Sequence, residues 1–184
     1  MNWLYKDELY IYDLLKNESI KFGDFTLRSG KKSDFYIDCR PLILSSLGRK
    51  LISQCFYTYV NDGSFFAATG VGGSYIASGV SDLYGTGVIH VRDEKKDHGT
   101  RNKLEIPYKF NKEHNQVVIV DDVLTSGSSL ITCISSLLED NICVTKCLVL
   151  VDREEGGKEI IEQNYGVRVE SIFLKSDFMK EQNY

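Results

Sequence analysis

Hydrophobic and polar residues follow one another along most of the chain in a pattern that predicts buried strands separated by helices. Short apolar runs of the kind found in parallel strands lie at Phe65–Ala68, Val88–Val91, Val117–Val120, Cys147–Val151 and Val167–Leu174. Helical spacing of apolar residues fills most of the intervals, at Tyr75–Leu83, Leu130–Leu138 and Lys158–Asn164. This order predicts an α/β fold with a mostly parallel central sheet flanked by helices.

The N-terminal part has a different pattern. Helical spacing at Leu4–Leu15 and Leu47–Val60 encloses a stretch, Phe22–Cys39, that alternates around Gly30 and predicts a β-hairpin or a pair of short strands. We expect a single domain over residues 1–184, in which residues 1–40 form a small hood. Residues 92–116 are charged and weakly patterned, which is typical of a mobile functional loop.

Polar or glycine-rich clusters follow four of the predicted strands. They are Thr69–Ser74, Arg92–Glu94, Asp121–Asp122 and Asp152–Gly157. Because parallel strands end at the same edge of a sheet, and ligands bind at that edge, these clusters are expected to share one site.

The stretch VVIVDDVLTSGSS, Val117–Ser129, combines two kinds of binding group. A hydroxyl-rich loop before a helix offers backbone N–H groups and a positive dipole end to one phosphate; the alternative is an ordinary helix cap by Ser126 or Ser128. Asp121 and Asp122 would repel a phosphate, but they suit Mg²⁺ or sugar hydroxyls. A sugar phosphate suits both groups, since its phosphate can bind the loop and its hydroxyls can bind the acids. The alternative for the two acids is a solvated strand end.

Composition narrows the class of protein. The 184 residues carry a net charge of −4, and the pI of about 5.4 argues against a nucleic-acid partner. The five cysteines form no CxxC pair and are expected to be buried, reduced thiols. The first ten residues include Lys6, Asp7 and Glu8, and no apolar run reaches about 18 residues. We therefore expect a cytoplasmic protein with no membrane partner.

Four segments also carry a family resemblance. VVIVDDVLTSGSS is similar to the signature with which type I phosphoribosyltransferases bind 5-phosphoribosyl-1-diphosphate (PRPP). FTLRSGKKSDFYID (Phe25–Asp38), VRDEKKDHGTRNKLE (Val91–Glu105) and VDREEGG (Val151–Gly157) resemble three segments of the orotate phosphoribosyltransferases.

This resemblance implies a role for each matching residue. Asp121 and Asp122 would hold the ribose hydroxyls, Lys96 and His98 would reach the diphosphate, and Arg153 would contact the orotate carboxylate. The other substrate contacts would be made by Arg28, Phe35, Tyr36, Gly72, Gly73, Arg92, Thr125, Ser126, Gly127, Ser128 and Ser129.

Each assignment has a purely structural alternative. Lys95–His98 could instead be a solvated loop, and Arg153 could belong to a charge cluster at the start of a helix. Arg28 could lie on the hairpin surface, and Phe35 and Tyr36 could pack in the core of the hood.

The chain departs from the family pattern at two positions. Asp93 lies where many members have lysine, and the glycine-rich turn after Ala68 has no lysine.

The resemblance implies Mg²⁺-dependent transfer of a phosphoribosyl group from PRPP to orotate, giving orotidine 5′-monophosphate and diphosphate. It also implies a homodimer with shared active sites and Mg²⁺ held mainly by the substrate. Alternatives are transfer to another base, a PRPP-sensing regulator, and a dinucleotide-binding oxidoreductase. The last would use Gly70 and Gly72, but its third glycine position is Tyr75.

Overall fold

The computed structural model describes residues 3–26, 32–60, 63–92 and 103–179. Four residues with an implied role or a departure from the family pattern, Arg28, Asp93, Lys96 and His98, lie outside these ranges, as does much of the predicted loop.

The N-terminal third forms helices and a hairpin. Helix α1, Trp3–Leu14, runs into a π-helical turn, Leu15–Ser19. Strands β1 (Ile20–Thr26) and β2 (Lys32–Ile37) pair antiparallel, so the hairpin prediction is confirmed. Helices α2 (Arg40–Leu44) and α3 (Ser46–Tyr57) lead to the main sheet.

The remaining elements alternate between strands and helices. In chain order they are β3 (Phe65–Ala68), α4 (Gly70–Tyr84), β4 (Val88–Val91), β5 (Leu104–Glu105), β6 (Val117–Leu124), α5 (Ser128–Glu139), β7 (Val144–Asp152), α6 (Gly157–Tyr165), β8 (Arg168–Leu174) and α7 (Lys175–Met179). The sheet order is β5-β4-β3-β6-β7-β8, parallel except for β5. The predicted fold class is confirmed.

Helices cover both faces of this sheet. One face buries Ile52, Ile76 and Phe178 of α3, α4 and α7 against β3, β6 and β7, together with the hairpin residue Phe35. The other buries side chains of α5 and α6, among them Leu137 and Ile161. Because the helices fill both faces, the carboxyl edge of the strands is left for a site.

Strand β6 is longer than predicted. It continues through Asp121 and Asp122 to Leu124, whereas the apolar run was expected to end at Val120. Val123 and Leu124 pair with Val151 and Asp152 of β7, and these bonds hold the acids inside the strand. Asp121 and Asp122 are therefore part of the sheet, and the expectation of a strand end at these acids was wrong.

Helix α4 begins earlier than predicted. Its first residue is Gly70 rather than Tyr75, so the glycine-rich turn is largely helical. Glycine has a low helix propensity, but tight packing against β6 outweighs it here. The short elements α2, β5 and α7 were also missed, because two to five residues show little periodicity.

All five cysteines have free thiols, and four are buried while Cys143 is exposed. Within the described ranges, no helix is long and apolar enough to cross a membrane.

Candidate active site

The loop between β6 and α5 forms a small anion-sized cavity. The cavity has a volume of about 70 Å³, and its lining consists of Asp121 and Val123–Leu130. One water molecule needs about 10–15 Å³ of such space, so this cavity admits a larger group. Gly127 precedes α5 at φ 81°, a left-handed conformation that favours glycine. Gly127 has no side chain with which to cap the helix, so the first N–H groups of α5 remain directed at the cavity.

The two acids of β6 occupy different surroundings. Asp122 is half-buried, whereas Asp121 is only 9% exposed. Oδ1 of Asp121 accepts a hydrogen bond from the backbone N–H of Asp122 at 3.0 Å. Burial raises the pKa of the Asp121 carboxyl well above its ordinary value, and the neighbouring charge of Asp122 adds to the effect. A raised pKa lessens the negative charge that Asp121 presents to an anion in the cavity that it lines.

Two glycines of α4 hold the acid pair in place. A Cβ on Gly72 would lie 2.4 Å from Oδ2 of Asp122, and one on Gly73 would lie 2.7 Å from the carbonyl oxygen of Val120. The start of α4 therefore approaches β6 as closely as its backbone permits. The Asp122 carboxyl group therefore lies beside the end of α4 at which a helix dipole is positive. Both glycines are buried, and the absence of their side chains allows the close contact with β6.

Arg153 lies between the sheet and the hood. Its Nε donates to Oε1 of Glu155 at 2.8 Å, and its Nη2 donates to the carbonyl oxygen of Phe35 at 3.4 Å. Its guanidinium carbon lies 5.7 Å from the centroid of the Phe35 ring. The side chain is 6% exposed, so it is a buried, oriented cation and not a solvated charge cluster.

The two hairpin aromatics face opposite ways. Phe35 is fully buried in the core that the hood shares with the sheet. Tyr36 is half-buried, with its ring centroid 5.4 Å from that of Phe25. Successive side chains of a strand point to opposite faces, so the two rings cannot flank one base from the same side. For Phe35 the structure agrees with the hood-core interpretation.

Arg92 follows β4 at the start of the predicted loop. Its Nη2 forms an ion pair with Glu105 of β5, and its backbone N–H donates to the carbonyl oxygen of Lys103 at 3.0 Å. Its Nη1 is buried and has no hydrogen-bond partner among the described residues. These contacts join the two described ends of the loop.

The structure brings several of the predicted site residues together. Asp121 lines the cavity with the loop Thr125–Ser129, and Asp122 and Asp121 adjoin Gly72 and Gly73 of α4. Arg153 follows β7, the strand beside β6, and contacts Phe35. Arg92 follows β4, and Tyr36 lies in β2. Nothing is described for Arg28, Lys96 and His98.

Sequence reasoning missed three residues around this site. Lys175 has its Nζ 5.3 Å from the Phe35 ring centroid, on the same ring as Arg153. Glu105 pairs with Arg92, and Gly157 packs against the loop after β6. Only Gly157 left a signal in the sequence, in the glycine pair that ends VDREEGG.

Comparison with known proteins identifies the family of this chain. The phosphoribosyl transferase domain family matches residues 43–178. An orotate phosphoribosyltransferase of Methanocaldococcus jannaschii is 36% identical over 155 residues, covering 83% of this chain and 86% of the relative. That of Pyrococcus furiosus is also 36% identical, over 162 residues and 86% and 87% of the two chains. The crystal structure of the Aeropyrum pernix orotate phosphoribosyltransferase superposes with a TM-score of 0.77 at 29% identity, covering 94% and 97% of the chains.

The chain therefore belongs to the phosphoribosyltransferase family, and its relatives place it among the orotate phosphoribosyltransferases of that family.

Proposed function

We propose that this protein transfers the 5-phosphoribosyl group of PRPP to orotate, giving orotidine 5′-monophosphate and diphosphate in the synthesis of pyrimidine nucleotides. The observation that carries the proposal is the phosphate-sized cavity at the start of α5, with an acid pair directly beside it. The names of the relatives supply the acceptor base.

The 5′-phosphate is assigned to the cavity of residues 125–129. Backbone N–H groups at the start of α5 and the hydroxyls of Thr125, Ser126, Ser128 and Ser129 surround it as donors. The ribose hydroxyls then extend toward β6, where the Asp122 carboxylate accepts from them. Fixing the sugar at both ends places its C1 toward the hood, where the base enters.

The reaction breaks the bond between C1 and the diphosphate while an orotate nitrogen attacks C1. The transition state gains positive charge on the ribose and negative charge on the leaving group. The protein's part is therefore orientation and charge neutralisation, without a covalent nucleophile. Arg92, whose Nη1 has no partner within the described residues, is assigned to the diphosphate together with Lys96 and His98.

The base end is assigned to Arg153. A buried guanidinium matches a carboxylate through two parallel hydrogen bonds, which suits orotate better than uracil or a purine. The contacts with Glu155 and with the Phe35 carbonyl fix the plane of the guanidinium before the substrate arrives.

Mg²⁺ is assigned as the metal ion. Among the described residues, no three His, Cys, Asp or Glu side chains come together as a metal site. The donor set fits an ion bound by one or two carboxylates with the remaining positions filled by substrate phosphates and water. Asp122, the half-buried acid of the pair, would offer its carboxylate to the ion, and the ion would supply positive charge to the diphosphate.

We further propose that the chain acts as a homodimer in the cytoplasm. The segment from Arg92 to Glu105 would cover the neighbouring subunit's site and exclude water that otherwise hydrolyses PRPP. Five free thiols support a reducing compartment.

The deciding experiment measures consumption of orotate, hypoxanthine, adenine and uracil with PRPP and Mg²⁺. We expect turnover with orotate alone. Arg153→Ala should lose it, while Arg168→Ala, at a side chain 75% exposed on β8, should retain it. Turnover of another base would mean that the protein transfers the phosphoribosyl group to that base. Binding of PRPP without turnover of any base would indicate a regulatory role.

A further inference from the structure

The turn that begins α6 packs against the phosphate loop more closely than any side chain would allow. A Cβ on Gly157 would lie 2.5 Å from the carbonyl oxygen of Thr125 and 2.8 Å from the backbone nitrogen of Gly127. It would also lie 2.8 Å from Cδ1 of Leu124. Two of these three neighbours are backbone atoms of the loop, so they cannot move aside without moving the loop itself.

The contact is reciprocal. The Cβ position of Gly127 lies 3.1 Å from Cδ1 of Ile161 and 3.2 Å from the carbonyl oxygen of Gly157. The first turns of α6 therefore form the outer wall of the loop, on the side away from the cavity. A backbone hydrogen bond from Arg153 to Leu124, of 2.9 Å, ties the same segment to the end of β6.

Backbone conformation does not explain the glycine at this position. Gly156 and Gly166, at the two ends of α6, have φ values of 88° and 64°, but Gly157 is absent from the residues with positive φ. In a helical conformation alanine is the better residue. The requirement at Gly157 is therefore the absence of a side chain between the helix and the loop.

We propose that Gly157 is a positioning residue for 5′-phosphate binding: it sets the distance between α6 and the loop and so the direction of the N–H groups of Gly127 and of the start of α5. The inference rests on the proposed function for its substrate. Gly157 does not itself contact the substrate. It lies on the same segment as Arg153, so one turn of the chain supports both the binding site for the base and the binding site for the 5′-phosphate.

The test is Gly157→Ala, with Gly166→Ala as the matched control. Gly166 ends the same helix, and no atom lies within 4 Å of a Cβ placed there. Calorimetric titration with PRPP and Mg²⁺ should show Kd raised by about tenfold or more in Gly157→Ala. Steady-state assays should show the same rise in KM for PRPP. The KM for orotate at saturating PRPP should stay within about twofold of the wild-type value.

Gly166→Ala should lower the Tm through strain at its positive φ and leave the Kd for PRPP unchanged. A second variant, Ile161→Val, tests the same contact if Gly157→Ala does not fold. It removes Cδ1 of Ile161, the atom nearest the Cβ position of Gly127, and keeps the core apolar. It should raise the Kd for PRPP about two- to threefold.

An unchanged Kd for PRPP in whichever of the two variants fold overturns the proposal, and so does an equal rise in KM for both substrates. The titration needs no acceptor base. If the wild-type protein binds PRPP but consumes no orotate, the proposed function fails while the effect of Gly157 is still measured.

Discussion

The carboxylate of Asp121 accepts a hydrogen bond from the backbone N–H of Asp122, its neighbour in β6, at 3.0 Å. The first acid is thereby turned back onto its own strand and buried. The second lies half-buried beside the start of α4, where the missing Cβ of Gly72 leaves space for its carboxyl group. Two adjacent residues of one type thus acquire different properties, and this difference can be measured.

Asp121→Asn is expected to stabilise the fold at neutral pH. Burial raises the pKa of Asp121 in the folded state above its ordinary value of 3.8, so the folded protein holds a proton that the unfolded chain releases. Stability from this group is therefore greatest at acid pH and decreases as the pH rises from about 4 through the folded pKa. Asparagine still accepts the N–H bond but has no charge to bury.

We expect the Tm of Asp121→Asn to match the wild type near pH 4 and to exceed it at pH 7.5 by at least about 2–4 °C, the shift that 1 kcal/mol gives in a domain of this size. Thermal unfolding followed by circular dichroism across this pH range measures it. Asp82→Asn, at an exposed position of α4, should show no such trend. A Tm difference that is the same at every pH would contradict the burial argument.

Replacing both acids by asparagine should abolish most binding of PRPP while the fold remains intact. The physical reason is loss of the carboxylate acceptors for the ribose hydroxyls and for Mg²⁺. Calorimetry with PRPP and Mg²⁺ is the measurement, and Asp82→Asn is again the control. Wild-type affinity in the double variant would refute the ribose assignment.

Gly72→Ala should impair catalysis through Asp122. The new methyl group would meet the carboxylate at 2.4 Å and displace it, and a displacement of about 1 Å can lower the rate about 10²-fold. We expect kcat/KM for PRPP to fall by at least about tenfold. Gly85→Ala, at the other end of α4 with no atom within 4 Å of its Cβ position, should leave it unchanged. Equal losses in the two variants would point to a general effect on the helix.

Glu105→Gln should strengthen PRPP binding. Arg92 is held by Glu105, and a partly exposed pair of this kind is worth about 0.2–1 kcal/mol. Releasing Arg92 toward the diphosphate should lower the KM for PRPP by about two- to fivefold. The control is Asp140→Asn, which breaks the exposed pair of Asp140 with Lys112, 2.8 Å long, away from the site. A raised KM would mean that Glu105 positions Arg92 for the substrate.

Shared active sites predict complementation between two inactive variants. One carries Lys96→Ala and His98→Ala, and the other carries Asp122→Asn and Arg153→Ala. After subunit exchange, random pairing makes about half the dimers mixed, and each mixed dimer has one intact site, so about a quarter of wild-type activity should return. Mass spectrometry verifies the exchange. If activity then stays at the sum of the parents, each loop serves its own chain.

Much of this architecture could be predicted from apolar periodicity. The five strands of the parallel sheet and the hairpin were each placed, because buried strands need long apolar runs and exposed hairpins alternate. The continuation of β6 past Asp121 was missed, although Val123 and Leu124 carry its signal, since charged residues ordinarily end a buried strand.

The contacts that shape the site were beyond sequence reasoning. The ion pair of Arg92 with Glu105 spans residues outside the described ranges and depends on β5, which has only two residues. The contact of the Phe35 ring with Lys175 of α7 joins residues more than a hundred positions apart. Close approach of Gly73 and Gly157 to other backbones is a tertiary property that no local pattern encodes.

The phosphate cavity also bears on inhibitor chemistry. Its wall consists mainly of hydroxyls and main-chain groups over a volume of about 70 Å³, so a ligand gains little there from apolar area. Screening neutral, lipophilic compounds against this part of the protein is a poor strategy. Compounds that carry a compact dianion, or a neutral mimic of one that keeps its acceptor geometry, match what the loop offers.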